Sequence, residues 1–141
     1  MVTIFQSARF FAKHIFVGVL LVVLSFLMVS GCQADAPLPL RTWNVDGATR
    51  EALVSVPDSA KTNATPIVFA FHGHGGTAER VARAWDYQQL WPQAIVVYMQ
   101  GLNTPGQLTD PEGDRAGWQA KVGDQNDRDL KFFDTVLASL E

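Results

Sequence analysis

Apolar residues change their spacing several times along the chain. An uncharged apolar run extends from Ile15 to Val29. Trp43 and Val45 then alternate with polar neighbours, and a second alternating run carries Leu53, Val54 and Val56 to Pro57. Such alternation places one face of a strand on a core and the other in water. Asp46-Gly47 between the two runs is a strong two-residue hairpin signal, because a tight primed turn needs φ > 0 at both positions. The two runs are therefore expected to form an antiparallel entry hairpin. Asp58 to Pro66 is polar, contains Pro, Asn, Ser and Thr, and reads as a surface loop.

The pattern then becomes continuous. Ile67, Val68, Phe69, Ala70 and Phe71 run directly into His72, Gly73, His74, Gly75 and Gly76, as a buried strand ending in a glycine-rich turn would. Ala94 to Tyr98, AIVVY, is a second buried strand. Between them Thr77 can cap a helix with Glu79 in its first turn, and Val81, Ala84, Trp85 and Leu90 are expected to supply its packing side before Pro92. Two buried strands around one helical segment make a βαβ unit and predict parallel pairing. Met99, Gln100 and Gly101 then leave the sheet at its carboxyl edge.

Asn103 to Gln125 is rich in Gly, Pro and Asp without a readable period, so it is expected as a functional loop with local order. Trp118 is its one large aromatic, either a plug tying the loop down or a wall against substrate. Beyond it, Asn126 or Asp127 can cap an amphipathic helix with Leu130, Phe133, Leu137 and Leu140 on one stripe and Lys131, Asp134 and Ser139 elsewhere. That helix lacks a C-terminal glycine, and Glu141 places negative charge where the helix dipole disfavours it.

Composition bears mainly on address. The 48% apolar content overstates the globular core because much of it lies in the first thirty residues, and a formal charge of −3 gives no electrostatic footprint for nucleic acid. Arg9 and Lys13 before the apolar run make the n-region and h-region of a secretory signal. Val29, Ser30, Gly31 and Cys32, the sole cysteine, resemble the lipobox of bacterial lipoproteins. That resemblance implies a signal peptide over 1–31, a lipidated Cys32, a tether over 32–40 with Pro37 and Pro39, and a domain over 41–141. Gln33 after the cysteine leans towards the outer membrane. The alternatives are a secreted chain or an uncleaved anchor, although a spanning helix wants roughly 20 apolar residues and this run is shorter.

Candidate chemistry centres on the HGHGG turn. Three glycines in five positions remove the Cβ atoms that block φ > 0 or close approach, so main-chain N–H groups can face an anion. Gly73, His74 and Gly75 are the expected oxyanion donors, with His72 as structural support; the simpler possibility is a purely structural turn. No metal or other cofactor is expected. His72 and His74 lack helical metal-ligand spacing and a nearby cysteine. Asp110, Glu112, Asp114, Asp124, Asp127 and Asp129 lack the spacing of a calcium loop and read as caps and solvated charge.

Strand, HGxGG turn and helix match the HGGG-type oxyanion turn of α/β-hydrolase esterases. Together with VDGATREALVSVP, AIVVYMQGLN, AGWQ and DRDLKFFDTVLASL, they resemble the N-terminal half of secreted feruloyl esterases and polyhydroxybutyrate-depolymerase-like proteins over nearly all of Arg41 to Leu140. The resemblance implies an α/β fold and a serine carboxylic-ester hydrolase acting on a plant cell-wall ester or a polyester. No GxSxG occurs, and neither His72 nor His74 suits a triad base. In the family order the serine, acid and histidine follow the last helix. The chain is thus expected to be the oxyanion-side half of such an enzyme and inactive alone. By the same resemblance IVFAF lies between AIVVY and the strand bearing the nucleophile, and without that strand it is an edge. The alternative function is a non-catalytic surface lipoprotein that binds a glycan or aromatic ligand through Trp118 and Tyr98.

Overall fold

A computed structural model describes residues 37–106 and 108–141. The expected signal segment, the residues resembling a lipobox and Cys32 lie outside the described residues. The entry hairpin is formed by β1 (Leu40–Val45) and β2 (Ala48–Ser55), with Val45 opposite Ala48. Asp46 and Gly47 between them have φ of 52° and 84°, the two positive values that this turn demands. β1 starts at Leu40, inside the segment expected as tether, where Leu40 faces Leu53 and Pro39 O accepts the Val54 N–H.

β3 (Ile67–Phe71) and β4 (Ile95–Met99) pair in parallel, with Phe71 opposite Met99. β2 pairs antiparallel with the other side of β4, giving a four-stranded mixed sheet in the order β1-β2-β4-β3. The central position of β4 explains its continuous apolar sequence, since both faces are covered. Ile95, Val97 and Met99 join Val45, Ala52 and Val54 in one core, which Phe132 and Val136 of a helix at Arg128–Ala138 complete. Val96 and Tyr98 point to the opposite face and pack with Ala70, Ala78, Val81 and Ala82. The architecture is therefore α/β, with helices on the two faces of the sheet.

Two helix faces differ from those expected. In α1 (Ala78–Trp85) the buried residues are Ala78, Val81 and Ala82, while Ala84 and Trp85 are exposed. The small residues let the helix lie close on β4, and Asp86 at φ 47° ends it before Leu90 can share the face. Leu90 belongs instead to α2 (Tyr87–Leu90) and is exposed. Thr77 does cap α1, its Oγ1 accepting the Arg80 N–H. In α3 (Arg128–Ala138) the buried stripe is Asp129, Phe132 and Val136, one position round from the expected stripe, and Leu130 is 43% exposed.

A buried ion pair sets that rotation. Arg50 lies on the core face of β2 between Ala48 and Ala52 and is only 1% exposed. Its Nη2 donates to Asp129 Oδ1 at 2.7 Å, its Nη1 donates to Arg128 O at 3.0 Å, and its guanidinium sits 4.3 Å from the Phe132 ring centroid. Burial pulls the Arg50 pKa down, and the hydrogen bond to Asp129 opposes that shift. Asp129 Oδ2 also accepts the Gln119 N–H, while Gln119 Oε1 accepts the Asp129 N–H at the start of α3. Asp127 precedes α3 without a side-chain cap bond to it, so Gln119 caps the helix from outside.

Replacing Asp129 by Leu strands the Arg50 charge in the core and should lower stability by about 3–5 kcal/mol. Arg50→Met with Asp129→Leu should recover much of that loss, and urea midpoints of the two variants check it. The other exposed consequence of the topology is β3, which has β4 on one side and no described strand on the other. It carries no charge, and Phe71 is 41% exposed. An apolar edge of this kind pairs with other edges. Residues 37–141 should therefore self-associate in sedimentation, and Phe71→Lys should shift them towards monomer.

Candidate oxyanion turn

The turn lies where β3 leaves the sheet at its carboxyl end. Gly76 N–H donates to Gly73 O at 2.9 Å, closing a tight turn with His74 and Gly75 at its centre. Gly75 has φ +74°, a conformation that side chains with a Cβ adopt only with strain. Its N–H donates to Ala116 O at 2.7 Å. The N–H groups of Gly75 and Gly76 are thus occupied, whereas those of Gly73 and His74 take no part in the turn's hydrogen bonds. Gly73, His74 and Gly75 are all exposed. A Cβ on Gly73 would meet no other atom within 4 Å, so open space adjoins the backbone there.

His72 is buried, 3% exposed, and its ring stitches two strand ends together. Nε2 accepts the Gly101 N–H at 3.0 Å, so the proton resides on Nδ1, which donates to Gly73 O at 2.8 Å. Gln100 Nε2 approaches the same Nε2 at 3.2 Å and also donates to Gly101 O, while Gln100 Oε1 accepts the Ala78 N–H at the start of α1. Parallel register explains the meeting. Phe71 faces Met99, so His72 and Gln100 emerge side by side. Both nitrogens of His72 are occupied in holding backbone, which leaves the ring a supporting part rather than a proton carrier.

Trp118 seals this seam from the long loop. Its Nε1 donates to His72 O at 2.8 Å, and its ring stands edge-on to Phe71 with centroids 5.1 Å apart. It also packs partly buried against the core containing Phe132. Trp118 is therefore a plug, and only part of its surface is open to a ligand. Tyr98 offers none. It is fully buried, its hydroxyl donating to Gln88 Oε1 at 2.7 Å and accepting the Tyr87 N–H at 2.8 Å, and burial pushes its pKa up.

The loop is held at two further points. β5 (Leu102–Asn103) and β6 (Ala116–Gly117) form a short antiparallel pair. His74 Nε2 lies 2.9 Å from Asp110 Oδ2. Gly101 and Gly117 fit tightly, since a Cβ on Gly101 would fall 2.4 Å from Gly117 O. Gln100, Gly101, Asp110 and Ala116 also build the site; the sequence places Gln100 and Gly101 at the carboxyl edge without a role and reads Asp110 as a cap or solvated charge. Gln100 and Gly101 had a signal in their position directly after a parallel strand; Asp110 had only its residue type. Among the described residues, no group of three or more His, Cys, Asp or Glu side chains is placed to hold a metal ion. No helix among them is long and apolar enough to cross a membrane.

His72→Phe keeps the ring volume but leaves the Gly101 N–H without its acceptor. Such a change should cost about 1–3 kcal/mol, read from urea unfolding, with the fold retained.

The sequence matches no protein-family model and no curated protein.

Proposed function

We propose that the chain carries the oxyanion-binding part of a lipid-anchored serine carboxylic-ester hydrolase of the feruloyl esterase or polyhydroxybutyrate-depolymerase type. One observation carries this reading: in an exposed turn at the carboxyl edge of a parallel strand, neighbouring hydrogen bonds occupy Gly75 and Gly76, while the Gly73 and His74 N–H groups donate to no partner among the described residues. The 141 residues contain no GxSxG, so the attacking serine and its base come from outside this sequence. As that serine adds to the ester carbonyl, negative charge gathers on oxygen. The Gly73 and His74 N–H groups stabilise it without rearranging, and one such donor is typically worth about 2.7–4 kcal/mol of transition-state stabilisation. His72 and Trp118 hold the turn from beneath. In this reading Cys32 bears the lipid that keeps the enzyme at the cell envelope, and the ester belongs to a plant cell wall or a polyester.

The 141-residue chain alone should hydrolyse no ester and should take no fluorophosphonate label at its serines. Joined in frame to a segment supplying GxSxG and the acid and histidine partners, it should become active. Gly73→Val tests the donor there, because the fold leaves open space for that side chain. Turnover should fall far more than substrate affinity, since the oxyanion exists only in the transition state. A rise in KM with kcat preserved would overturn the assignment.

A further inference from the structure

The glycine turn is gripped at two adjacent residues by one loop segment. His74 Nε2 lies 2.9 Å from Asp110 Oδ2, and Gly75 N–H donates to Ala116 O at 2.7 Å. Asp110 also organises the segment that holds the turn. Its Oδ1 accepts the Asp114 N–H at 2.9 Å and its Oδ2 accepts the Arg115 N–H at 3.0 Å, while its own backbone sits at φ 66°. A single carboxylate therefore folds its loop and reaches back to a side chain in the turn. The imidazole lies flush on that loop: a Cβ on Gly117 would fall 2.6 Å from His74 Nδ1, and one on Gly106 would fall 3.0 Å from Nε2.

We propose that Asp110 is a positioning residue, which acts through His74 to hold the glycine turn in the geometry that leaves the Gly73 and His74 N–H groups without a partner among the described residues. The role deepens the ester-hydrolase reading and rests on it for its chemical purpose. Its physical basis is the turn itself. With Gly75 at φ +74°, a flip of the His74–Gly75 peptide would break the bond to Ala116 and reorient the turn. The Asp110 contact fixes the residue on one side of that peptide, and Ala116 fixes the other.

Few charges surround the contact. β5 and β6 contribute no titratable side chain, Asp114 and Arg115 meet Asp110 through their N–H groups, and the Arg115 side chain passes beside Gly75. His72 lies within the same turn and is occupied by Gly73 O and Gly101 N–H. Ionised Asp110 supplies the carboxylate oxygen that meets His74 Nε2 and accepts the Arg115 N–H. The Asp114 N–H, foremost, holds the Asp110 carboxyl below its usual range against an opposing desolvation, and His74 and the Arg115 N–H add to this. A lowered folded value gives stabilisation that is present above the unfolded carboxylate range and lost as pH falls through the folded value.

Amide exchange in the full 141-residue chain tests this, with Gly75 as reporter and Val97 in β4 as control for the fold. Asp110→Asn tolerates the positive φ but removes the charge, and should lower Gly75 protection roughly tenfold or more while Val97 is unchanged. His74→Gln keeps an N–H donor and should retain most of the protection. In the wild type Gly75 protection should drop in acid, below the ordinary carboxylate range, before Val97 does; Asp110→Asn should lack that step. Unchanged Gly75 protection in Asp110→Asn, or no acid step in the wild type, overturns the proposal. If Asp110→Asn also loses Val97 protection, the wild-type acid profile alone decides. Acetate at neutral pH separates the two readings. Gly73 and His74 amide shifts seen in the wild type and lost in Asp110→Asn support positioning for anion binding. Shifts that persist unchanged in the variant overturn it. No shift in either, with the Gly75 behaviour as expected, refutes the oxyanion role and leaves Asp110 as the residue that holds the turn.

Discussion

The buried Arg50–Asp129 ion pair is the constraint on which the packing of this domain depends. A guanidinium in a core is costly unless its charge and its N–H groups are met. Here Asp129, the Arg128 carbonyl and the Phe132 ring surround it. The charge and the two terminal nitrogens are met in this way, while the buried Nε has no hydrogen-bond partner among the described residues, and that pairing fixes where α3 starts and which side it turns to the sheet. Because Asp129 also exchanges hydrogen bonds with Gln119, the same pair ties down the end of the long loop. Trp118 is the next residue back, and it reaches the carbonyl of His72. The contact between β2 and α3 thus continues, bond by bond, to the glycine turn.

At the turn the same logic appears on a smaller scale. Parallel strands end at one edge, and their next residues must satisfy backbone groups that the ladder no longer pairs. His72 does this for Gly101 and Gly73, and Gln100 does it for Gly101 and the first residue of α1. Ala116 takes the Gly75 N–H from the loop side. What remains at the surface is a short length of backbone with two N–H groups that have no partner among the described residues, and no Cβ at Gly73 to cover them. That combination of rigidity below and openness above is the physical basis of the proposed oxyanion role.

The elements carried by local signals were legible in the sequence. Asp46-Gly47 specifies its hairpin because few other pairs accept two positive φ values. IVFAF and AIVVY announce strands by unbroken apolar character, and one helix between them gives a crossover to parallel pairing; AIVVY is buried as expected, but IVFAF lies at an edge with only Ala70 buried and Phe71 exposed. Thr77 caps α1 by chemistry confined to a single turn. The HGHGG turn was legible for a similar reason, since Gly75 takes a positive φ and a Cβ on Gly76 would fall 2.9 Å from Gly73 O.

What the sequence could not settle was which residues meet across long separations. The stripe of α3 was read one position out because its helical period admits either face, and only a charged partner on β2 selects the one with Asp129. No local signal marks Arg50, yet it points into the core. Asp110 looked like loop charge, and its reach to His74 exists only once β5 and β6 fold the loop back. By itself the sequence determined the local conformations, because turns, caps and apolar runs are decided by neighbouring atoms. Tertiary structure alone decided the faces, the ion pair and the grip on the turn, because each needs groups brought together by the packing of distant segments.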